Sequence, residues 1–201
     1  MYPATAPNMP AHLQCLTLKA HHAKTDGSYT HIYWAFADID PKTWKPVIDD
    51  KKGQWSGFKN LKGVKRIVSF GGWALSTEPE SYDIIRQAIL NNRDTFAENL
   101  AKLAEDEGPD GIDIDWEYPG APDILVDVKP IGQKGDGVGY LKFFMALKMK
   151  LGSKLAFPID RIAKIIDYIV YMTYDLHGQW DYGNPNAYDM CDSVIMDHAY
   201  N

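Results

Sequence analysis

The sequence predicts an α/β protein built on a parallel sheet, and three observations carry that prediction. Stretches of strand-like composition alternate with stretches of helical apolar spacing, the rhythm of β-α-β units. One strand, within residues 110–117, alternates acid with apolar: Asp113, Asp115 and Glu117 interleave with Ile112, Ile114 and Trp116. The helical pattern before that strand runs into Gly108-Pro109, a glycine stop followed by a helix breaker.

Taken in order, residues 1–24 read as a disordered leader. Pro3, Pro7 and Pro10 interrupt it, and no basic n-region or apolar h-region marks a secretory signal. His21-His22 lack further ligands and read as loop. Residues 25–201 are expected to form the folded part. Residues 29–39 (YTHIYWAFADI) are β-branched and aromatic and read as a strand closed before Asp40-Pro41. Within it His31 reads as a structural histidine, and Trp34, Trp44 and Trp55 carry no motif.

Residues 42–60 read as turn and irregular loop. Residues 64–69 (VKRIVS) predict a second strand, followed by Phe70-Gly71-Gly72-Trp73. Helices are predicted over 81–90, with Ile84, Ile85, Ala88 and Ile89 on one side, and over 93–107. In the latter, Phe96, Leu100, Leu103 and Ala104 recur at helical spacing. After the acidic strand, 121–139 is rich in glycine and reads as a long loop. Helices are expected over 140–151 and 159–168, a fourth strand over 169–174 (IVYMTY), and a polar, irregular end.

The acidic strand carries the chemistry. Successive strand side chains point to opposite faces, so one face holds only carboxyls and the other only large apolar groups. A solvated charged face is the competing reading. It fits poorly, because the window is otherwise apolar and a parallel strand has both faces covered. Burying three carboxyls costs free energy unless they are hydrogen-bonded or partly protonated. Neighbours on one face lie ~7 Å apart along the strand, and like charges in a confined site push one carboxyl pKa up. A carboxyl protonated near neutral pH is what a general acid needs. Glu117 lies at the C-terminal end of the strand, which in a β/α barrel is the active-site mouth. Tyr118-Pro119-Gly120 then stops the strand.

Composition excludes other classes. A net charge of −6 over 201 residues, without a Lys/Arg block, argues against nucleic acid or an anionic membrane surface as partner. No apolar run approaches the ~20 residues of a membrane span. Cys15 and Cys191 show no metal-ligand spacing, and no metal or other cofactor is implied. Aromatic residues make up 12% of the chain, a share compatible with sugar stacking but equally with a core.

The run Asp110-Gly111-Ile112-Asp113-Ile114-Asp115-Trp116-Glu117-Tyr118-Pro119 closely resembles the DxxDxDxE signature of family 18 glycoside hydrolases, the chitinases. Ser69-Phe70-Gly71-Gly72 resembles the family's SxGG motif on the third barrel strand, and Tyr171-Met172-Thr173-Tyr174-Asp175 its sixth-strand motif. The wording around His177-Gly178-Gln179-Trp180-Asp181 looks most like the fungal chitinases related to killer-toxin subunits. The resemblance implies a TIM (β/α)8 barrel acting on chitin or chitooligosaccharides by substrate-assisted retaining catalysis. By the same resemblance Glu117 is the acid and base, and Asp115 holds the acetamido N–H. Asp113 shares a proton with Asp115, and Tyr174 orients the acetamido carbonyl. Ser69 supports Asp113, and Asp110 is structural near the strand start. Gly71, Gly72, Trp73, Tyr118, Met172 and Asp175 are expected to line subsites, the glycines as strand-end turn residues that also let sugar approach the backbone. Family members are mostly extracellular.

The chain departs from the family pattern in length, since a complete barrel takes ~250 residues. Residues 13–18 (LQCLTL) are the one candidate for a first strand, 152–158 are too short for a fifth strand with its loops, and no seventh or eighth strand is visible. The expected fold is therefore an incomplete, apparently truncated barrel. Two readings compete with a chitinase: an endo-β-N-acetylglucosaminidase using the same acids, and an inactive or chitin-binding, lectin-like fragment.

Overall fold

The structure of the protein, a computed structural model, describes residues 19–23, 25–151 and 166–167. Those up to Leu151 fall within one compact unit, Met1–Leu155. The stretches 13–18 and 169–174 lie outside the described residues, as do Cys15, Cys191, Met172, Tyr174, Asp175 and the run from His177 to Asp181. So does all of the helix expected over 159–168 except Ile166 and Asp167, which form a bend.

Four strands form one sheet in the order β2-β1-β3-β4: β1 is His31–Ile39, β2 Pro46–Val47, β3 Lys65–Gly71 and β4 Gly111–Asp115. β1, β3 and β4 run parallel, as the strand–helix alternation predicts, and β2 pairs antiparallel to the end of β1. Between β1 and β3 lies the short helix α1, Trp55–Lys59. Between β3 and β4 lie α2 (Gly72–Thr77), α3 (Tyr82–Leu90) and α4 (Arg93–Glu107). After β4 come a two-stranded hairpin, β5 (Leu125–Val126) with β6 (Lys129–Pro130), and the long helix α5, Asp136–Lys150.

The core forms where the helices cover the sheet. Val68 and Phe70 of β3 and Ile114 of β4 are buried with Ile85, Ala88 and Ile89 of α3, Phe96, Ala97 and Leu100 of α4, and Phe143 and Leu147 of α5. Phe96 links the layers: its ring stacks on Phe143 at 5.3 Å and meets Phe70 edge-on at 6.3 Å. Each fully buried side chain of this size contributes roughly 1.5–3 kcal/mol, which is why α4 keeps its period despite a polar outer face. Gly108 ends α4 in the left-handed conformation, φ 66°, its N–H donating to Ala104 O.

Several local expectations need correction. Residues 42–60 are not simply irregular, because they hold β2 and α1. Two residues are too few to show a strand period, and α1 is fixed by packing: Trp34, Trp55 and Phe58 cluster with ring centres 5.0–5.7 Å apart. Residues 121–139 contain the β5–β6 hairpin and the first turn of α5. Gly137 and Gly139 made that turn read as loop, but a Cβ at Gly139 would lie 2.3 Å from Leu90, so the glycine lets α5 approach α3. Within the stretch read as leader, Ala20–His22 form one 3-10 turn, and the Ala20 N–H donates to Gln54 Oε1 at 2.9 Å. His31 shares a 2.8 Å hydrogen bond with Thr30 Oγ1.

Candidate active site

Register builds the site. β3 pairs with β4 so that Ser69 lies opposite Asp113 and Gly71 opposite Asp115. Ser69, buried in the sheet, donates its hydroxyl to Asp113 Oδ2. On the other face of β4, Trp116 packs edge-on against Tyr140 of α5 at 5.3 Å, and the Arg86 guanidinium lies 5.0 Å from its ring centre. The alternation thus separates an apolar face under the helices from a face carrying Asp113 and Asp115, with Glu117 just beyond the strand and 9% exposed.

Burial raises the Asp113 pKa, with the Ser69 hydrogen bond opposing it. Burial also raises that of Asp115, and the Asp113 charge pushes it further in the same direction. The Tyr140 phenol is pushed up strongly, first by burial and then by the charges of Asp113 and Asp115. It stays neutral and donates to Ile114 O at 2.7 Å. The pair of aspartates therefore favours a held proton over two full charges.

That has a measurable consequence. A carboxyl whose folded pKa lies above its unfolded value of 3.8 stabilises the fold fully below that value and loses the contribution as pH rises through the folded one. Asp113→Asn and Asp115→Asn should each remove that residue's share of this loss. The urea midpoint of each variant, relative to wild type, is expected to climb as pH goes from about 4 to about 7. A pH-independent difference would show that these carboxyls titrate as exposed ones do.

The other expected residues divide into three groups. Asp110 lies at the opposite end of β4 from Glu117. It accepts from the Arg66 N–H at 2.9 Å and Nε at 2.8 Å, and Arg66 holds its pKa below the usual carboxylate range. Its place is structural, tying the start of β4 to β3. Trp73, 57% exposed on the first turn of α2, and Tyr118, 45% exposed just after Glu117, present aromatic surface near the carboxyl end of the strands. The space at the two glycines is taken by the protein itself. A Cβ at Gly71 (φ 120°) would lie 2.0 Å from the Asp115 carbonyl oxygen, and one at Gly72 (φ 76°) 2.7 Å from the Phe36 ring. These glycines bring β3 against β4 and turn the chain into α2.

Four residues around the acids carried no motif. Ser76 of α2 accepts the Glu117 N–H at 3.0 Å. Tyr140 holds the Ile114 carbonyl. Arg86 and Asp136 form a buried pair at 2.9 Å, and Asp136 Oδ2 also accepts the Gly120 and Gln133 N–H groups. Only Arg86 left a trace in the sequence, as a cation one turn before Ile89 on the apolar side of α3. Among the described residues, no group of three or more His, Cys, Asp or Glu side chains is placed to hold a metal ion.

Comparison with known proteins agrees with this geometry. The family described as Glycosyl hydrolases family 18 matches residues 13–189. A "Secreted chitinase LysM12" of Penicillium expansum is 46% identical over 207 residues, covering 92% of this chain and 13% of that protein. The "Killer toxin subunits alpha/beta" of Kluyveromyces lactis are 42% identical, covering 83% of this chain and 15% of theirs. The chain thus spans well under a fifth of the length of these two relatives. Among solved structures, a mutant of the Group II chitinase catalytic domain 2 of Ostrinia furnacalis, in complex with (NAG)5, superposes with a TM-score of 0.63 at 25% identity. It covers 82% of this chain and 49% of that one. The chain belongs to family 18 of the glycosyl hydrolases.

Proposed function

We propose that residues 25–201 are a piece of a chitin-cleaving catalytic domain, with β1, β3 and β4 as the second, third and fourth strands of a (β/α)8 barrel. The observation that carries the reading is the acidic face of β4, where Ser69 holds Asp113 and burial raises the pKa of both aspartates. Glu117 protonates the glycosidic oxygen as the C1–O bond breaks. The acetamido oxygen of the sugar attacks C1, giving an oxazolinium ion. Asp115 accepts the acetamido N–H and stabilises the positive ring, and Asp113 carries the proton the pair shares. Glu117, now a carboxylate, takes a proton from the water that reopens the ring at C1, so configuration is retained. Tyr174, outside the described residues, orients the acetamido carbonyl in this scheme, and Trp73 and Tyr118 stack on the sugar. Met172 and Asp175 complete the subsites. The name of a secreted relative supports an extracellular setting.

The test is release of a fluorophore from a chitooligosaccharide conjugate, set against a cellooligosaccharide conjugate that lacks the acetamido group. Hydrolysis of the first alone is expected, because the second supplies no internal nucleophile. Equal cleavage of both would sink the substrate-assisted route. Binding of chitooligosaccharide without turnover would favour a lectin-like fragment.

A further inference from the structure

Glu117 lies just past β4, where the strand ladder no longer holds the main chain: the last register pair is Gly71 with Asp115. A side chain from α2 takes over. The Glu117 N–H donates to Ser76 Oγ at 3.0 Å, across 41 residues of sequence, and Ser76 is 0% exposed. α2 has little freedom to move. Gly71 leads into it against the Asp115 carbonyl, with no room for a Cβ. Within α2, Thr77 Oγ1 donates to Trp73 O at 2.8 Å, and from beyond it Ser81 Oγ donates to Ala74 O at 2.7 Å. The acceptor for the Glu117 amide is thus fixed on a braced turn and closed to water. Water could not readily replace a lost hydroxyl there, so the amide would have to move or stay unpaired.

We infer that Ser76 is a positioning residue for Glu117: its hydroxyl fixes the main chain of the acid and, through it, the direction in which the carboxyl leaves the strand. The inference rests on the role proposed above for Glu117. It gives α2 a task apart from lining subsites, since Trp73 at its start is exposed while Ser76, one turn on, is wholly buried against the strand end.

The test uses the whole chain with Ser76→Ala, Ser76→Thr and Ser76→Val. Thr and Val have nearly the same shape and differ in the hydroxyl, so comparing them removes the cost of packing a larger side chain into a buried site. Three quantities are measured: kcat and KM on the fluorogenic chitooligosaccharide, the thermal midpoint, and hydrogen exchange of the Glu117 amide by NMR on glutamate-labelled protein. Ser76→Val is expected to lower kcat between about tenfold and a hundredfold relative to Ser76→Thr, because a displacement of ~1 Å at a reacting group can cost that much. KM should stay within about twofold. Glu117 amide exchange should be faster in Ser76→Ala and Ser76→Val than in wild type and Ser76→Thr. Equal kcat in the Thr and Val variants overturns the inference. So does a fall in kcat that tracks the thermal midpoint in both. Absence of turnover in wild type would sink the proposed function instead. In that case, unequal amide exchange between Thr and Val still supports the anchor, and equal exchange removes it.

Discussion

Glu117→Gln is expected to lower kcat on a chitooligosaccharide by about a hundred- to ten-thousandfold, the range over which a general acid contributes. KM should change by less than about threefold, because the lost interaction belongs to the transition state. Glutamine keeps the size of the side chain, and the main-chain bond to Ser76 does not depend on the carboxyl. The variant should therefore fold as wild type does, and the loss reads as chemistry. Asp115→Asn should behave differently. In the proposed mechanism it removes the carboxylate that would stabilise the positive ring, and it breaks the coupling between Asp115 and Asp113, so the pH dependence of kcat should change shape as well as height. The measurement is a pair of pH–rate profiles beside that of wild type. A drop of less than about tenfold in Glu117→Gln would mean that another group donates the proton.

The parts of this molecule legible in the sequence are those set by period. The alternation of Asp113, Asp115 and Glu117 with Ile112, Ile114 and Trp116 placed β4 and its two faces, and the spacing of Phe96 and Leu100 placed α4 to its end residues. The parts that were not legible depend on contacts far apart in the chain. α1 exists because Trp55 and Phe58 meet Trp34, and the first turn of α5 because Gly139 lets two helices close on each other. The same holds at the site. Ser69 could be paired with Asp113 through a motif, and the register places them opposite each other. Ser76, Tyr140 and Asp136 act on the main chain of the acidic strand and the turn after it, and a main-chain acceptor or donor leaves no pattern of residue types to read.

Asp136→Ala should cost about 3–5 kcal/mol of folding stability, the penalty for leaving a buried charge without its partner. Arg86 is 4% exposed and Asp136 5%, and burial already pushes the guanidinium pKa down while Asp136 opposes that. The carboxylate also caps two main-chain donors, Gly120 N–H at 3.2 Å and Gln133 N–H at 2.8 Å, so it joins α3 to the turn after Glu117 and to the start of α5. Asp136→Asn separates these tasks, since an amide oxygen can still accept from both N–H groups but carries no charge. Adding Arg86→Met to Asp136→Asn should then recover about 1 kcal/mol or more, because it removes the uncompensated charge. It also removes Arg86 Nη1, which has no hydrogen-bond partner among the described residues. Urea unfolding of the three single variants and the double variant measures the coupling. If Arg86→Met alone costs as much as Asp136→Ala and the double shows simple additivity, the stem of Arg86 packed on Trp116 is what matters. The ion pair would then be incidental to how the strand end bearing Glu117 is held.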